Sequence, residues 1–578
     1  MMAGKNARDL FVIHHSLRNF IVASVLSSIV NIINTTTDGI VVSQAVSADA
    51  ISVVSLVVPV LTLVQIFGYM LFRGAALIVA TAYGNQQYVQ VNRLVSMSMS
   101  AVLILNGLLA LVLSLFSGQI AHLLTDEARL LPMVEEYLPF SLAACVAWLL
   151  CDAAGSYVEI SGRPRLVTNY VVLNAVFNLL LDILLVMVMD MGMRGAALAS
   201  LIAPVAAMVV YVPYLSKSPR PFDFDIPNRH DYISLLFKSV SRGAPAAIGS
   251  LIMAILYMAL NHIALQTQGA DGLYILSICL QTVTLGLTLA FAANSAVMCV
   301  GGVMYGERDW AGLNKMLTSI LKIVLVACVA VTLLVFVYPT VVADIYGADD
   351  RLRQLSEKPV RLFIQSLVPL TILMLVSNIY MMSERSKLAS IIQFGPLIIM
   401  LPVVWFIATV MPDFFWHSFP LGLWILLLMT DGCIYVLLRR GEKLHWLFLT
   451  PTETPDGTYT VSIHFDEEEA KRKLRLLQDH ITGLNLDEST LINVRRCLEE
   501  MTRHELDMGK KSGRSGAFDV SAQNLQERFT IIFKDVGKAY NPLIGEQYCK
   551  DSNYQYQNGL NCLYLNFPNR DTLNAPTT

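Results

Sequence analysis

Charged residues are scarce in this chain. Only 15% of its 578 residues are Asp, Glu, Lys or Arg, whereas an ordinary soluble domain carries about 25%. With 55% hydrophobic residues, much of the chain has no water to face. The net charge of −3 is too small to indicate nucleic acid or a strongly acidic partner. These shortages exclude a single soluble globular domain and favour a membrane protein.

Paired cysteines and a cleavable leader are also missing. None of the nine cysteines stands in a CxxC pair or at a metal-ligand spacing, so we expect reduced packing cysteines and no bound metal. The N-terminus lacks a short apolar core followed by a small-residue cleavage site. The first hydrophobic run is therefore interpreted as a retained helix.

Long apolar runs are what the chain has instead. Six of them approach or exceed the roughly 20 residues that cross a bilayer as a helix: 20–43, 51–72, 171–189, 319–342, 363–381 and 418–438. Lipid admits only helices or closed barrels, and runs this continuous indicate helices. The sequence predicts twelve of them, at about 17–43, 51–82, 91–117, 131–160, 165–189, 193–216, 232–266, 271–304, 313–342, 358–383, 386–411 and 417–440.

The basic residues of the loops predict the orientation of these helices. Lys and Arg fall on one side under a twelve-helix count, while the turns near 45–50, 267–272 and 412–416 have none. The positive-inside rule then places both termini in the cytoplasm. The predicted location is the cell membrane of a bacterium. The segment 351–361, with three arginines and a lysine, is the exception because it falls on the outer side.

The two halves of the membrane region repeat each other. Tyr83-Gly84 precedes Asn92-Arg93, and Tyr305-Gly306 precedes Asn314-Lys315 at the same spacing in the second half. Six helices per half is an even number, so both copies share one topology and are related by an axis along the membrane normal. The repeats are predicted at about 15–217 and 232–442, within a transporter domain of residues 1–445.

The character of the chain changes near residue 446. A polar, proline-containing linker occupies 446–457, and a small cytosolic domain follows at 458–578. Alternating stretches at 459–465, 517–522, 527–535 and 561–567 predict strands, and 466–483 and 487–508 predict amphipathic helices. The expected fold is thus an all-α polytopic membrane protein of two six-helix repeats with a small C-terminal α+β domain.

Ionisable side chains in the apolar helices require a reason, because each costs roughly 2.5–3.5 kcal/mol on insertion scales. Asp38, Asp182 and Asp431 are three such residues. Asp182 follows Asn178 by one helical turn, so both lie on one face, and Ser200 follows on the next helix. Carboxylate, amide and hydroxyl oxygens suit H⁺ or Na⁺. The alternative is that Asp38 and Asp182 are near-interface residues satisfied by neighbouring backbone and asparagine, and that Asp431 extends to the interface near Arg439-Arg440.

These residues carry a resemblance to the MATE (multidrug and toxic compound extrusion) transporters, over about residues 10–442. The stretch from Asn34 to Asp38 is similar to the family's helix 1, and Asn178-x-x-x-Asp182 followed by Gly195-Ala-Ala resembles its helix 5–6 signature. The resemblance implies an antiporter that expels organic, often cationic, compounds against entry of H⁺ or Na⁺. It assigns cation binding to Asp38, Asn178, Asp182 and Ser200.

Three further positions are secondary candidates. Asn34 lies one turn before Asp38, Asp431 lies in helix 12, and Asn261 in helix 7 stands near the position at which some family members carry a second carboxylate. Asn261 is an amide and so departs from that pattern, and the resemblance therefore does not extend to a cation site in the second half.

The C-terminal domain resembles the GHKL ATPase fold, most closely the anti-sigma-factor kinases. Glu500 and His504 stand on a helix similar to the one that carries the family's metal-binding residues, and Asp535-x-Gly537 looks like its adenine box. The metal-binding asparagine and the glycine-rich lid are missing. The resemblance therefore implies a degenerate site, with no ATPase activity or cofactor, in a module that binds a cytosolic protein partner or regulates transport.

Two rival functions stay open at this point. A lipid-linked precursor flippase shares this helix layout but would favour a basic cavity for pyrophosphate. A membrane sensor would use the helices as a receptor and signal through the C-terminal domain. The predicted function is an antiporter, not an enzyme, that contacts small organic cations and membrane lipid.

Overall fold

The structure is a computed structural model. It describes the chain except residues 1–10, 46–47, 126, 128, 217–221, 346–349, 439–443, 453–457, 485, 513–515, 525–527, 538–548, 550, 558–559 and 569–578. The chain forms two compact units. One comprises residues 21–307 and 317–450, and the other comprises residues 1–20, 308–316 and 451–578.

Among the described residues, 12 helices are long and apolar enough to cross a membrane. We number them α1 to α12 in chain order: Phe11–Ala45, Ala48–Gly84, Tyr88–Leu115, Leu131–Ile160, Pro164–Val188, Gly192–Val210, Arg229–Gly269, Asp271–Gly306, Trp310–Val337, Asp350–Met382, Ser386–Val410 and Phe415–Leu438. The predicted helix count is confirmed. Gly269, with φ of 70°, separates α7 from α8.

The second six helices repeat the first six at a constant offset in residue number. The two bounds of α9 exceed those of α3 by one and the same amount (310 − 88 and 337 − 115), and α11 exceeds α5 by that amount again (386 − 164 and 410 − 188). Left-handed residues recur at this repeat offset, since Gln86 and Arg308 have φ of 60° and 56°. Non-glycine residues seldom adopt this conformation. Its recurrence shows that the turn after α8 has the same backbone geometry as the turn after α2.

The two repeats meet through small residues near the ends of α2 and α8. A Cβ on Gly84 would collide with the backbone carbonyl of Val303, and a Cβ on Gly306 would collide with that of Thr81. The two contacts are equivalent, because Gly306 corresponds to Gly84 and Val303 corresponds to Thr81 at the repeat offset. Glycine is required at these two positions because each helix lies against the backbone of the other.

The C-terminal domain is an antiparallel sheet with helices on one face. Its strands β1 to β5 span Tyr459–His464, Ala517–Asn524, Arg528–Val536, Asp551–Gln557 and Leu560–Pro568, in the order β1-β2-β3-β5-β4. Helices α13 and α14 span Glu467–Thr482 and Glu488–Ser512. Apolar side chains of both helices and of β1, β2, β3 and β5 form one core. The predicted α+β fold is confirmed, with β4 as a strand that the sequence did not predict.

The opposite face of the sheet is covered by the beginning of α1. Val12 is 2% exposed and packs with Ile532, Cys562 and Tyr564 of β3 and β5. The ring of Phe11 lies against Gly516. The first turns of α1 therefore belong to the same compact unit as the C-terminal domain, and α1 begins at Phe11 instead of at the predicted residue 17.

Candidate functional site

Asn178 and Asp182 form the polar centre of α5. Their side chains are 5% and 1% exposed, and Asn178 Nδ2 donates a hydrogen bond to Asp182 Oδ2 at 3.4 Å. This contact is at the long end of hydrogen-bond distances, so the two groups are adjacent without being tightly tied. The predicted face shared by these residues is present in the helix.

The helix changes its winding directly after Asp182. Residues Ile183–Val188 form a π-helical segment, a rare geometry that occurs often at functional sites. The chain then turns through Asp190 and Gly192, both with positive φ, and enters α6. Arg194 on the first turn of α6 pairs with Glu136 of α4, with Nε and Oε1 2.6 Å apart.

Ser200 lies in the middle of α6, which packs against α5, and its side chain is partly buried. It is therefore on the helix next to the Asn178–Asp182 pair, as the sequence predicts. Asn34 is partly buried in α1. Asp38 lies in the same helix, but its side chain is outside the described part of the molecule.

The remaining candidates on α7 and α12 are exposed. Asn261 and Asp431 both have exposed side chains, and His262 next to Asn261 shares a hydrogen bond of 2.9 Å with Gln266. The structure therefore brings neither residue into contact with the buried Asn178–Asp182 pair.

A charged pair that the sequence analysis missed lies between α2 and α4. Arg73 Nη2 is 3.5 Å from Asp152 Oδ2, and the two side chains are 40% and 31% exposed. The guanidinium carbon of Arg73 lies 5.2 Å from the ring centre of Tyr69 and 5.7 Å from that of Phe72. The signal in the sequence was an aromatic residue four positions before a charged one on both helices, Tyr69 before Arg73 and Trp148 before Asp152.

Glu159, near the end of α4, was missed as well. Its Oε2 accepts a hydrogen bond of 2.7 Å from the Ser295 hydroxyl and a 3.6 Å contact from the Cys299 thiol. Both donors belong to α8, in the other repeat, and Cys299 lies in a π-helical segment, Val297–Gly301. A carboxylate of the first repeat is thus held by two groups of the second.

The candidate nucleotide residues of the C-terminal domain lie on two elements. Glu500 and His504 stand one turn apart on α14. Asp535 is 2% exposed near the end of β3, in register with Asn561 of β5. The carbonyl of Gly537 accepts a 2.9 Å hydrogen bond from the Tyr556 hydroxyl of β4. The predicted adenine box thus begins in the last two residues of the buried strand β3. Strand β4 occupies part of the span in which the glycine-rich lid was missing.

Comparison with known families matches the membrane region twice. The MatE family model covers residues 23–184 and again residues 245–406, which together are more than half of the chain. The second match is displaced from the first by equal amounts at its beginning and its end (245 − 23 and 406 − 184). This displacement is the repeat offset that relates the helices.

Curated relatives are similar at low identity. The multidrug export protein MepA of Staphylococcus aureus (strain MW2) is 26% identical over 215 residues, 36% of this chain and 47% of that protein. The probable multidrug resistance protein YoeA of Bacillus subtilis is 23% identical over 269 residues, 44% of this chain and 58% of that protein. The chain thus spans about half the length of the curated relatives it matches.

Solved structures share the fold over the membrane region. A mutant of the MATE transporter VcmN of Vibrio cholerae aligns with a TM-score of 0.69 at 17% identity, covering 74% of this chain and 97% of that one. A MOP superfamily transporter from Pyrococcus furiosus aligns with a TM-score of 0.65 at 18% identity, covering 73% and 95%. The chain is a multi-pass membrane protein with the fold of these transporters.

Proposed function

The chain belongs to the MatE family, and we propose that it is a secondary exporter of organic, mainly cationic, compounds driven by entry of H⁺ or Na⁺. The observation that carries the proposal is the buried Asn178–Asp182 pair of α5, at 5% and 1% exposure and 3.4 Å apart. A carboxylate is costly in a membrane helix, and carboxylate oxygens are ligands for a small hard cation. The Asn178 amide next to the Asp182 carboxylate carries a further oxygen of the same kind. MepA and YoeA are named as multidrug proteins, which supports the export of small organic compounds.

In the proposed cycle the coupling ion binds Asp182 and Asn178, with Asp38 and Asn34 on α1 and Ser200 on α6 completing the site. Coupling requires that ion and cargo prefer different conformations of the two repeats. With both termini in the cytoplasm, the end at which Gly84 and Gly306 close the repeats faces the cytoplasm. The hydrogen bonds of Glu159 to α8 stabilise closure at this end.

We also assign the C-terminal domain a regulatory role, as a degenerate GHKL-like module. The support is its five-stranded antiparallel sheet with two helices on one face and the packing of Val12 and Phe11 of α1 on the other face. The helix that begins on this domain continues to Asn34 and Asp38. A partner that binds the domain can therefore influence the helix that carries part of the ion site.

Efflux from proteoliposomes tests the exporter. Ethidium loaded inside should leave faster under an imposed pH or Na⁺ gradient than without one, and empty liposomes give the background. Efflux that responds to one gradient alone identifies the ion. Ethidium efflux that is insensitive to both gradients contradicts a coupled exporter.

A membrane sensor is the second candidate, and the packing of α1 against the C-terminal domain is the observation that favours it. The flippase receives no such support, because Arg73 is paired with Asp152 and does not create a basic cavity. The sensor predicts that cargo alters hydrogen exchange in β3 and β5 even when no gradient is present. An exporter without sensing shows no such change.

A further inference from the structure

The Arg73–Asp152 pair is a loose one. Its nitrogen–oxygen distance of 3.5 Å exceeds the 2.7–2.9 Å of a strong charged hydrogen bond. Asp152 Oδ2 is buried and makes no hydrogen bond within the described part of the chain. If the pair served only to neutralise two charges within the membrane, we would expect two short nitrogen–oxygen contacts between the guanidinium and the carboxylate.

Two aromatic rings, those of Tyr69 and Phe72, lie close to the guanidinium of Arg73. Tyr69 and Arg73 are one turn apart on α2, and Trp148 and Asp152 are one turn apart on α4, so each pair shares a helix face. The Tyr69 and Trp148 rings meet edge to face, with centroids 6.0 Å apart. Trp148 is 37% exposed. Tyr69 and Asp152 thus lie next to Arg73, and Trp148 packs against the Tyr69 ring. We call Tyr69, Trp148 and Asp152 the aromatic–acidic cage, with Arg73 as its cation.

Such a cage is chemically suited to an organic cation. The faces of Tyr and Trp attract guanidinium and ammonium groups, and an adjacent carboxylate supplies the counter-charge. Arg73 and Asp152 keep 40% and 31% of their side chains exposed, so a ligand can approach them.

We propose that the cage of Tyr69, Trp148 and Asp152 is a cargo subsite for a planar monovalent organic cation, and that Arg73 occupies it when no cargo is bound. This inference rests on the proposed exporter function and names one of its binding sites. The subsite belongs to the first repeat alone, because Ser295 and Met374 stand at the positions equivalent to Arg73 and Asp152 (295 − 73 and 374 − 152). Arg73 acts as a tethered competitor that sets the affinity for cargo.

Equilibrium binding of ethidium to the purified full-length protein, followed by fluorescence anisotropy without any gradient, tests the proposal. Arg73→Gln removes the competitor and should lower Kd about tenfold. Asp152→Asn removes the counter-charge and should raise Kd at least tenfold. In the double variant the gain from Arg73→Gln should vanish, because that gain depends on Asp152. Arg93→Gln is the matched control, since Arg93 pairs with Asp225 and Asp231 instead.

Weaker binding by Arg73→Gln, or unchanged binding by Asp152→Asn, overturns the cage. Absence of saturable binding to both the wild type and Arg73→Gln overturns it as well. Failure of the exporter proposal has a different signature. A wild-type protein that binds ethidium with these variant effects but transports none under either gradient keeps the cage and contradicts export.

Discussion

Gly302 and Ala80, which occupy equivalent positions in the two repeats, lie directly against each other. A Cβ added to Gly302 would come within 2.6 Å of the Cβ of Ala80, and their residue numbers differ by the repeat offset, as those of Gly306 and Gly84 do. Residues related by a two-fold axis can touch their own equivalents only on that axis. The approximate axis of the membrane unit therefore passes between α2 and α8 at this point.

Enlarging the residues beside the axis should prevent the repeats from closing. In Gly84→Ala the new methyl group meets the carbonyl of Val303, which is backbone and cannot rotate away. We expect gradient-driven ethidium efflux to fall at least tenfold. Gly107→Ala is the matched control, because it is the same change in a helix with nothing within 4 Å of the new Cβ. Equal efflux in both variants would contradict the role of this contact in closure.

Removing the charge of Glu159 should weaken the closed state. In Glu159→Gln the hydroxyl of Ser295 keeps an acceptor, but the hydrogen bond is no longer charge-assisted, which costs about 1 kcal/mol. This corresponds to about a fivefold shift in the ratio of closed to open molecules. Distances between spin labels at exposed Val89 and Ile391, with Cys433 changed to Ser, report this ratio. An unchanged distance distribution would contradict the role of Glu159 in stabilising the closed state.

The sequence predicted the twelve helices and the repeat because both depend on local features, the length of apolar runs and the spacing of Tyr-Gly and Asn. It missed β4 because Asp551–Gln557 is a polar edge strand in which Tyr554 and Tyr556 alone alternate with polar residues. It also placed the beginning of α1 too late. Phe11 and Val12 are the first residues of that helix and pack against strands β3 and β5 near the opposite end of the chain. No local sequence pattern reveals such a distant contact.

A charge at Val12 should release α1 from the C-terminal domain. Val12 is 2% exposed among Ile532, Cys562 and Tyr564, so Val12→Asp buries an unpaired carboxylate and should cost more than about 2 kcal/mol. Hydrogen exchange of β5 in the full-length protein should then accelerate. His14→Asp, on an exposed position of the same helix, should leave it unchanged. Slow exchange in both variants would show that the docking does not protect β5.

Asp487 should make the start of α14 sensitive to acid. Hydrogen bonds from the side chains of Ser489 and Thr490 and from the Thr490 backbone N–H lower the pKa of Asp487 from 3.8 to about 2. Because the folded-state pKa is depressed, this stabilisation is complete above about pH 4 and is lost as the pH falls towards 2. Hydrogen exchange of the first turn, corrected for intrinsic rates, should rise over that range.

Two substitutions of Asp487 distinguish the effect of its hydrogen bonds at the start of α14 from the effect of its negative charge. Asp487→Asn retains a capping side chain, so its exchange should stay independent of pH between 5 and about 2.5. Asp487→Ala removes the cap and should destabilise the first turn by about 1 kcal/mol at pH 6. A pH dependence that persists in Asp487→Asn would assign the effect to another group.

Candidate site residues were predictable where the partners are close in sequence. Asn178 and Asp182 are one turn apart, so their spacing alone predicts a shared face. Arg73 and Asp152 are far apart in sequence, on helices whose packing only the structure shows. Glu159 depends on Ser295 in the other repeat. Such pairs have no recognisable spacing in the sequence, because only the packing of the helices that carry them brings them together.

Ion-coupled efflux by Asp182→Asn tests the central claim most directly. Proteoliposomes containing wild type, Asp182→Asn or Asp431→Asn are loaded with ethidium and placed under the gradient that drives the wild type. Asp431 is the matched control because it is an exposed aspartate of α12. The account predicts that Asp182→Asn loses the gradient-driven component, at least tenfold, while Asp431→Asn keeps it. Gradient-driven efflux that survives in Asp182→Asn would contradict the assignment of the coupling site to α5.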